Sequence, residues 1–423
     1  MLCVDIVRLM PKPRKPDNFI PQRPVRPPRP GRTPVVRPAA PVFTHFDAFA
    51  VTAPGVAPLV AAECEALGIT PREVSPAGVA FDATPEQLFT VNLWSRCASR
   101  VLVRLAHFEA RDFAALEKFA ARVPWHQVLA PGAAVRLRVT CRKSRLYHSD
   151  AVAERVGRGI TKSIKQSEVL GRARDDEDDD DSMTQLIVVR FDHDQCTISA
   201  DSSGALLHRR GWRQAIAKAP LRETLAAAML VACDWNGEVP LVDPFCGSGT
   251  IGIEAALRVR RMAPGLQRDF AMELWPKANV GMYAAVREAA RAVALPAAGI
   301  PIVLRDRDKG ACAAAIANAE RAGVLSDLVI EQGPLSETVL DDIGEAGLVL
   351  TNPPYGLRIS DGSDLRSLYA RLGDVILAGG ADWQLGLLVP ERALAAQTQL
   401  DFDPVLRTAN GGLPVELLLS RLE

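Results

Sequence analysis

The stretch VPLVDPFCGSGTIGIEAAL, residues 239–257, decides the fold of the second half of the chain. An apolar run at 239–245 is predicted to be a strand, a glycine loop follows it, and from residue 251 onward apolar side chains recur with helical spacing. A strand, a glycine loop and a helix in this order are typical of a nucleotide-cofactor pocket, because the loop backbone can approach a ligand closely. We therefore expect a cofactor site after the first strand of an α/β sheet.

Further apolar runs follow along the chain, separated by helical patterns. They lie at 301–304, 327–331, 347–351 and 383–389. Buried strands that alternate with helices predict a doubly wound, mostly parallel sheet. Two last runs, at 405–407 and 415–419, flank a glycine turn at 410–412, which predicts an antiparallel hairpin at the edge of the sheet.

Within the stretch TNPPYG at 351–356, residues 352–355 directly follow the fourth apolar run, and we call these four residues the amine loop. An exocyclic amine on a base is a poor nucleophile because its lone pair is delocalised into the ring. The Asn352 side-chain oxygen and the Pro353 carbonyl can accept both amino hydrogens, while the Tyr355 ring clamps the base. Pro353 and Pro354 lack an N–H group and stiffen the loop. This pattern predicts a site of amine methylation, with an ordinary proline turn after a buried strand as the alternative.

The glycines at 247, 249 and 252 also spell the G-x-G-x-x-G pattern of dinucleotide-dependent dehydrogenases. The ribose acid of such an enzyme would be Asp269, but the segment around it is rich in Arg and Pro and does not resemble a strand. Asp306 is better placed, because it follows the run at 301–304 and a carboxylate there can accept both ribose hydroxyls of an adenosine. Asp308 is its neighbour and a second candidate.

Cys246 raises a further alternative, because enzymes that methylate carbon 5 of pyrimidines use a cysteine nucleophile. Such a cysteine is expected beside the prolines of the substrate loop, where this chain instead has Asn352 and Tyr355. We therefore interpret Cys246 as a small apolar packing residue of the cofactor loop.

The chain of 423 residues is 48% hydrophobic and has 50 Lys and Arg against 50 Asp and Glu, which predicts a soluble globular protein of two or three domains. Eight Cys without a C-x-x-C pair and six His favour neither a zinc site nor a disulfide framework, so we expect no metal and a reducing, cytoplasmic compartment. No apolar run approaches the length of a membrane span, and the start lacks a cleavage site, so we expect no membrane partner and no secretion.

Residues 1–42 are predicted to be a disordered arm rich in proline and basic residues. Such an arm can bind RNA phosphates without specificity or serve as a solubilising tail. Residues 43–206 show the strand and helix patterns of an α+β module, with an amphipathic helix at 56–67 that ends at Gly68. The segment 174–182 contains seven consecutive acidic residues and is predicted to be a disordered insertion, because like charges repel in a compact structure.

Basic residues are interleaved with an aromatic residue at 141–148, CRKSRLYH. This composition suits single-stranded RNA, since bases stack on aromatic rings and cations contact phosphates. A solvated charged face is the alternative. Two arginines of the connector at 207–213 join this set. The candidate RNA contacts are Arg142, Lys143, Arg145, His148, Arg209 and Arg210.

The cofactor loop at 243–250 and the amine loop together resemble class I S-adenosylmethionine-dependent methyltransferases that act on exocyclic amines. Other segments resemble more specifically the THUMP-domain guanine-N2 RNA methyltransferases, whose best-known bacterial members modify 23S ribosomal RNA. These segments lie at 93–100, 144–149, 207–213, 219–228 and 262–276. The resemblance covers about residues 43–423.

This resemblance implies a Rossmann-like class I methyltransferase domain at 207–423, preceded by a ferredoxin-like and THUMP RNA-binding module at 43–206. It implies S-adenosylmethionine as the cofactor and RNA as the partner, with ribosomal RNA preferred over transfer RNA. The cofactor would be held by Asp243, Phe245, Gly247, Ser248, Gly249, Thr250, Asp306, Asp308 and Glu223. The target amine would be held by Asn352, Pro353, Pro354 and Tyr355.

One departure from the family pattern concerns the adenine of the cofactor. Such enzymes place an Asp after the third strand, where this chain reads EQGPL at 331–335, so Gln332 or a backbone carbonyl is the expected substitute. Two other functions stay open. One is an adenine-N6 methyltransferase on RNA or DNA, because the same loop serves that amine; the other is an RNA-binding assembly factor that keeps the fold without turnover.

Overall fold

The computed structural model describes residues 45–172, 184–214, 221–355 and 365–422. The predicted basic arm at 1–42 and the acidic insertion at 174–182 lie outside the described residues. Within the described ranges, no helix is long and apolar enough to cross a membrane. Residues 43–423 form one compact unit that contains two β-sheets.

Eight strands form the first sheet: β1 (Phe46–Val51), β2 (Pro71–Ser75), β3 (Gly78–Ala83), β4 (Arg100–Glu109), β5 (Ala134–Arg142), β6 (Glu168–Arg172), β7 (Thr184–Asp192) and β8 (Gln195–Asp201). Their order is β2-β3-β1-β4-β8-β7-β5-β6. The helices of this segment are α1 (Ala57–Ala66), α2 (Pro85–Trp94), α3 (Phe113–Ala120) and α4 (Ser149–Ser163). The helix predicted at 56–67 is α1, and Gly68 follows it with a φ of 73°, as a helix-ending glycine does.

Seven strands form the second sheet: β9 (Leu241–Asp243), β10 (Ile302–Asp306), β11 (Val329–Gln332), β12 (Gly347–Thr351), β13 (Trp383–Val389), β14 (Phe402–Asn410) and β15 (Leu413–Ser420). Their order is β11-β10-β9-β12-β13-β15-β14, with β15 antiparallel to both neighbours and the other pairs parallel. The helices are α5 (Glu223–Ala232), α6 (Thr250–Val259), α7 (Val280–Ala292), α8 (Lys309–Ala322), α9 (Leu365–Ala378) and α10 (Arg392–Ala395). The predicted doubly wound sheet and its edge hairpin are confirmed.

Short 3-10 helices connect several of these elements. They lie at Trp125–Gln127, Ala271–Leu274, Leu325–Asp327, Leu335–Glu337 and Ala396–Thr398. The helix at Leu325–Asp327 explains why the third strand begins at Val329, two residues later than predicted. The first sheet ends at Asp201 and the second begins at Leu241, so the predicted domain boundary after residue 206 falls between them and stays a prediction.

The site is positioned by the point at which the strand order reverses. From β9 the chain builds the sheet outward through β10 and β11 on one side, and through β12 and β13 on the other. Val242 of β9 lies opposite Val303 of β10 and Val349 of β12, so these parallel strands end at the same edge. Ligands of open α/β sheets bind at this carboxyl edge, beside the reversal. The strand ends that meet there are Asp243, Asp306 and Thr351.

Candidate functional site

The glycine loop after β9 has the conformation that close approach of a ligand requires. Gly247 and Gly249 have φ angles of 51° and 83°, in the left-handed region that favours glycine. A Cβ at Gly249 would lie 3.0 Å from the Ala315 Cβ of α8, whereas a Cβ at Gly247 would meet no heavy atom of the described chain within 4 Å. The loop is therefore packed against α8 at Gly249 and open at Gly247, where a ligand can lie against the backbone.

The remaining cofactor-loop candidates lie in the same turn. Phe245 and Ser248 are half-buried, and Thr250 is buried at the start of α6. The Asn318 side chain of α8 donates to the Ser248 carbonyl at 3.0 Å, which holds the loop against the helix. The structure thus brings the predicted loop residues together in one fixed turn.

Asp306, the predicted ribose acid, lies at the end of β10 beside this loop. Its Oδ2 accepts the Gly247 N–H at 3.0 Å, and its Oδ1 accepts the Asp308 N–H at 2.9 Å. These bonds fix a half-buried carboxylate at the carboxyl edge of the sheet. Each oxygen keeps acceptor capacity for a hydroxyl group, so Asp306 can still bind a ribose.

Two other acids considered for the ribose have different positions. Asp308 caps α8, since its Oδ1 accepts the Gly310 N–H at 2.8 Å, and its contact with the cofactor stays a prediction. The Asp269 side chain is 94% exposed in the segment between α6 and α7. Because Asp269 does not lie at the end of the second strand, it cannot be the ribose acid of a dinucleotide site.

A buried hydrogen bond connects the cofactor loop to the amine loop. The Thr351 hydroxyl donates to Asp243 Oδ1 at 2.7 Å, and the Phe245 N–H donates to the same oxygen at 3.2 Å. Burial raises the pKa of Asp243 to about 7, although the Thr351 hydrogen bond acts to lower it. Because Thr351 directly precedes Asn352, its hydrogen bond to the buried Asp243 carboxyl also fixes the start of the amine loop.

The amine loop follows β12 and belongs to no helix or strand. The Asn352 Oδ1 is buried and accepts no hydrogen bond from the described residues. A buried acceptor without a donor is costly, so such an atom marks a place that a donor can fill on binding. Farther along the loop, the Tyr355 hydroxyl accepts from Asn410 Nδ2 at 2.8 Å, and the Pro354 carbonyl accepts from the Tyr369 hydroxyl at 3.5 Å.

Glu223, a candidate for the cofactor's amino group, is buried at the start of α5. Its Oε1 lies 3.1 Å from Arg213 Nε, while its Oε2 has no hydrogen-bond partner in the described parts of the chain. Burial raises the pKa of Glu223 to about 7, and Arg213 acts to lower it. Arg213 also bonds to the Thr250 hydroxyl, so Glu223 is connected to the helix that follows the glycine loop.

Cys246 is buried in the cofactor loop, and burial raises the pKa of its thiol far above the usual value. A thiol of this kind stays protonated and is a poor nucleophile, which supports its interpretation as a packing residue. Among the residues that the structure describes, no three His, Cys, Asp or Glu side chains are grouped to hold a metal ion.

The adenine end of the predicted cofactor site follows β11. Gln332 is exposed at the end of this strand, and its Nε2 donates to the Arg307 carbonyl at 3.3 Å. The Gly333 N–H donates to the Asp306 carbonyl at 3.0 Å, which ties the end of the third strand to the ribose acid. The role of Gln332 toward adenine stays a prediction.

The four RNA-contact candidates at the end of β5 and in the segment before α4 form an exposed basic surface. Arg142, Lys143, Arg145 and His148 are all exposed, and the Tyr147 ring between them is 68% exposed and lies 4.1 Å from the His148 ring. The Arg145 N–H donates to Asp194 in the β7–β8 turn at 2.7 Å, which anchors the stretch to the sheet. Its position is compatible with RNA binding, and that role stays a prediction.

The prediction for Arg210 is corrected by the structure, whereas Arg209 is half-buried and stays a candidate. The Arg210 guanidinium is only 2% exposed and faces the buried Glu254 of α6, with 3.2 Å between Nε and Oε1. It also donates to the carbonyls of Leu207, Arg96 and Ser95. A guanidinium whose donors are used inside the protein cannot contact an RNA phosphate, so Arg210 is a structural residue.

We expect Arg210→Lys to lower the free energy of unfolding by about 1–2 kcal/mol, because a lysine ammonium group cannot reach all the acceptors to which the planar guanidinium donates. Urea denaturation measures this change. The matched control is Arg142→Lys at an exposed position, which should leave stability unchanged. Weaker RNA binding by Arg210→Lys at unchanged stability would restore the original interpretation.

Sequence reasoning missed several residues that hold the site. Thr351 had a usable signal, because it is a buried hydroxyl residue directly before the amine loop. Asn318, Tyr369 and Asn410 had no such signal, because their hydrogen-bond partners lie 70, 15 and 55 positions away along the chain and no local pattern marks them.

The fold and the site together define the class of the protein. A doubly wound sheet that ends in an antiparallel hairpin, with a glycine loop and a carboxylate at its carboxyl edge, is the fold of class I S-adenosylmethionine-dependent methyltransferases. The family described as RMKL-like, methyltransferase domain (UPF0020) matches residues 210–400, and the RlmL ferredoxin-like domain matches residues 47–102. The chain belongs to the RMKL-like methyltransferase family, and the predicted ferredoxin-like module is confirmed.

Two curated relatives illustrate this membership. Ribosomal RNA large subunit methyltransferase K/L of Syntrophotalea carbinolica is 36% identical over 88% of this chain and 53% of its own length. The protein slr0064 of Synechocystis sp. strain PCC 6803, a candidate RNA methyltransferase, is 31% identical over 88% of this chain and 95% of its own length. The chain thus spans about half the length of the K/L relative and nearly all of slr0064.

A solved structure with the same fold is that of SMU.472, a candidate methyltransferase in complex with SAH. It superposes with a TM-score of 0.79 and 26% identity, covering 90% of this chain and 99% of its own. SAH is the product that remains when S-adenosylmethionine has transferred its methyl group. S-adenosylmethionine is the cofactor of this class, as the sequence predicted.

Proposed function

We propose that this protein transfers a methyl group from S-adenosylmethionine to the exocyclic N2 amine of a guanosine in a structured RNA, with large-subunit ribosomal RNA favoured. The observation that carries the proposal is the buried Asn352 Oδ1, which has no donor among the described residues and follows the strand end that Thr351 ties to Asp243. Relatives named as large-subunit ribosomal RNA methyltransferases support the choice of RNA.

The described residues fit the cofactor. Asp306 can accept its ribose hydroxyls, the open backbone at Gly247 can face its methionine part, and the buried carboxyls of Asp243 and Glu223 can hold its amino group. The unpartnered Glu223 Oε2 supports the last of these roles. When bound, the cofactor supplies an electrophilic methyl group on a sulfonium.

The amine loop prepares the target nitrogen. Asn352 accepts one amino hydrogen and the Pro353 carbonyl accepts the other, which turns the nitrogen lone pair toward the methyl group. Tyr355 stacks on the base. No strong general base is needed, because the amine can lose its proton after attack. The base must be unpaired or flipped to reach Tyr355, and the exposed basic stretch at 141–148 is proposed to hold the RNA around it.

Nucleoside mass spectrometry tests this function in cells with and without the gene. Ribosomal and transfer RNA are separated, digested and analysed for methylated nucleosides. The expected result is loss of N2-methylguanosine from the 23S ribosomal RNA fraction only. Loss from transfer RNA would change the substrate, loss of N6-methyladenosine would change the base, and no loss at all would favour an assembly factor.

Cofactor affinity is expected to fall as the pH is lowered below 7. Because burial raises the pKa of Asp243 to about 7, its carboxyl becomes protonated at lower pH and can no longer pair with the cofactor's amino group. We expect the dissociation constant for S-adenosylmethionine to rise about tenfold between pH values of about 7.5 and 6, as measured by calorimetry.

Two variants separate the buried carboxyls in this experiment. Asp243→Asn should bind the cofactor weakly and lose most of the pH dependence, and Glu223→Gln reports on the second carboxyl, whose pKa burial also raises to about 7. The free energy of unfolding should change with pH in the opposite direction to the affinity. Because the folded-state pKa of Asp243 lies above the usual 3.8, the free energy of unfolding falls as the pH rises from about 4 to about 7. A pH-independent affinity would remove both carboxyls from the cofactor site.

A further inference from the structure

The turn of the C-terminal hairpin reaches the amine loop. Asn410 is the last residue of β14 and lies opposite Leu413 of β15, so the hairpin fixes its backbone. The two residues between them, Gly411 and Gly412, have φ angles of 59° and 84°, as a tight two-residue hairpin turn requires. From this position the Asn410 Nδ2 donates to the Tyr355 hydroxyl at 2.8 Å.

The amine loop needs support of this kind because its own backbone provides little. Its described residues belong to no helix or strand, and Pro353 and Pro354 have no N–H group to donate. Among the described residues, two side chains from other elements donate hydrogen bonds to it instead. The buried Tyr369 of α9 donates to the Pro354 carbonyl at a long 3.5 Å, whereas the Asn410 bond to Tyr355 has an ordinary length.

The bond to the Tyr355 hydroxyl acts on the ring that would stack on the base. A tyrosine ring attached to an irregular loop can rotate, and a stacked base would rotate with it. A hydrogen bond at the far end of the ring holds its plane, so the base would lie in one orientation relative to Asn352. Asn410 and Tyr355 are both half-buried, so part of each side chain is accessible.

We propose that Asn410 is a positioning residue of the amine site, and that its hydrogen bond to the Tyr355 hydroxyl sets the plane in which the target base stacks. This inference rests on the proposed function, in which Tyr355 contacts the base. The hairpin turn would then line the base pocket, although Asn410 lies 55 positions beyond Tyr355 in the sequence. Asn410 touches neither the methyl group nor the amine in this proposal.

Methyl transfer to unmodified 23S ribosomal RNA, with labelled S-adenosylmethionine, tests this role. Asn410→Ala and Tyr355→Phe each remove the same hydrogen bond, one from the hairpin and one from the loop. Each should lower kcat about tenfold, and the double variant should be no slower than either single variant, because only one interaction is lost. The dissociation constants for RNA and cofactor should change less than about twofold, since phosphate contacts dominate RNA affinity.

Asn410→Asp should restore most of kcat, because the Tyr355 hydroxyl can donate to a carboxylate at the same position. The matched control on the hairpin is Arg407→Ala, which should leave kcat unchanged. Arg407 is an exposed residue of β14, and its ion-pair partner among the described residues is Glu416. Tyr355→Phe leaves the hairpin intact, so it tests the bond even if Asn410→Ala unfolds.

Three outcomes would overturn the inference: a wild-type kcat for Asn410→Ala or Tyr355→Phe, effects of the two substitutions that multiply in the double variant, or no rescue by Asn410→Asp. Asn352→Ala, measured alongside, keeps this failure separate from failure of the proposed function. If Asn352→Ala is inactive while Asn410→Ala is normal, only the positioning role is wrong. If Asn352→Ala is fully active, the proposed function itself is wrong.

Discussion

Replacing Asn352 by Ala is expected to slow methyl transfer to RNA by about 10²–10³-fold, the usual loss when one preorganised polar group at a reaction centre is removed. The Asn352 Oδ1 is a buried acceptor with no donor among the described residues, and we propose that the target amine supplies that donor. In the proposed function, Asn352 contacts the base and not the cofactor. The dissociation constant for S-adenosylmethionine should therefore stay within about twofold of the wild-type value, as measured by calorimetry.

Asn352→Asp is the matched variant for this prediction. A carboxylate at the same position still accepts hydrogen bonds from an amine, so part of the activity should remain. If Asn352→Ala loses cofactor affinity as severely as turnover, then Asn352 belongs to the cofactor site and the amine-loop interpretation is wrong.

Replacing Asp306 by Ala is expected to act first on cofactor binding. Its carboxylate can accept two ribose hydroxyls, and a hydrogen bond to a charged group contributes about 1.5–3 kcal/mol. The variant also removes the acceptor that the Gly247 N–H uses at 3.0 Å, which loosens the glycine loop. We expect the dissociation constant for S-adenosylmethionine to rise about 30-fold to about 150-fold, which corresponds to about 2–3 kcal/mol.

Asp269→Ala is the control for Asp306→Ala. Asp269 is the acid that a dinucleotide-dependent dehydrogenase would need, and its exposed side chain lies outside the carboxyl edge of the sheet. This variant should bind S-adenosylmethionine normally. Normal affinity in Asp306→Ala would show that the ribose acid has been misplaced.

The positions of the site's main groups could be predicted because each one lies at the end of a strand. Asp306 is the last residue of β10, the glycine loop and the amine loop come immediately after β9 and β12, and parallel strands bring their carboxyl ends to one edge. Apolar runs locate such strands within a few residues. Their exact ends were less predictable: β9 is shorter than expected, because Pro240 has no N–H group and the Phe245 N–H bonds to the Asp243 side chain.

The contacts that hold these groups could not be read from the sequence, because they join elements that are distant along the chain. Nothing near Asn410 indicates that its side chain reaches Tyr355, since that contact depends on how the hairpin lies against the sheet. Arg210 was wrongly predicted to contact RNA for the same reason, because its buried partner could not be read from the sequence. It stands in a basic cluster that suggests RNA binding, but its partner Glu254 lies 44 positions away and becomes its neighbour only on folding.

The amine loop is proposed to present an exocyclic amine of guanine for methylation. The most direct measurement uses the purified protein, labelled S-adenosylmethionine and 23S ribosomal RNA from cells that lack the gene, followed by digestion and identification of the labelled nucleoside. N2-methylguanosine is expected as the only labelled product, and Asn352→Ala is expected to lose this signal. Label in N6-methyladenosine or 5-methylcytidine, or cofactor binding without any labelled nucleoside, would contradict the proposal.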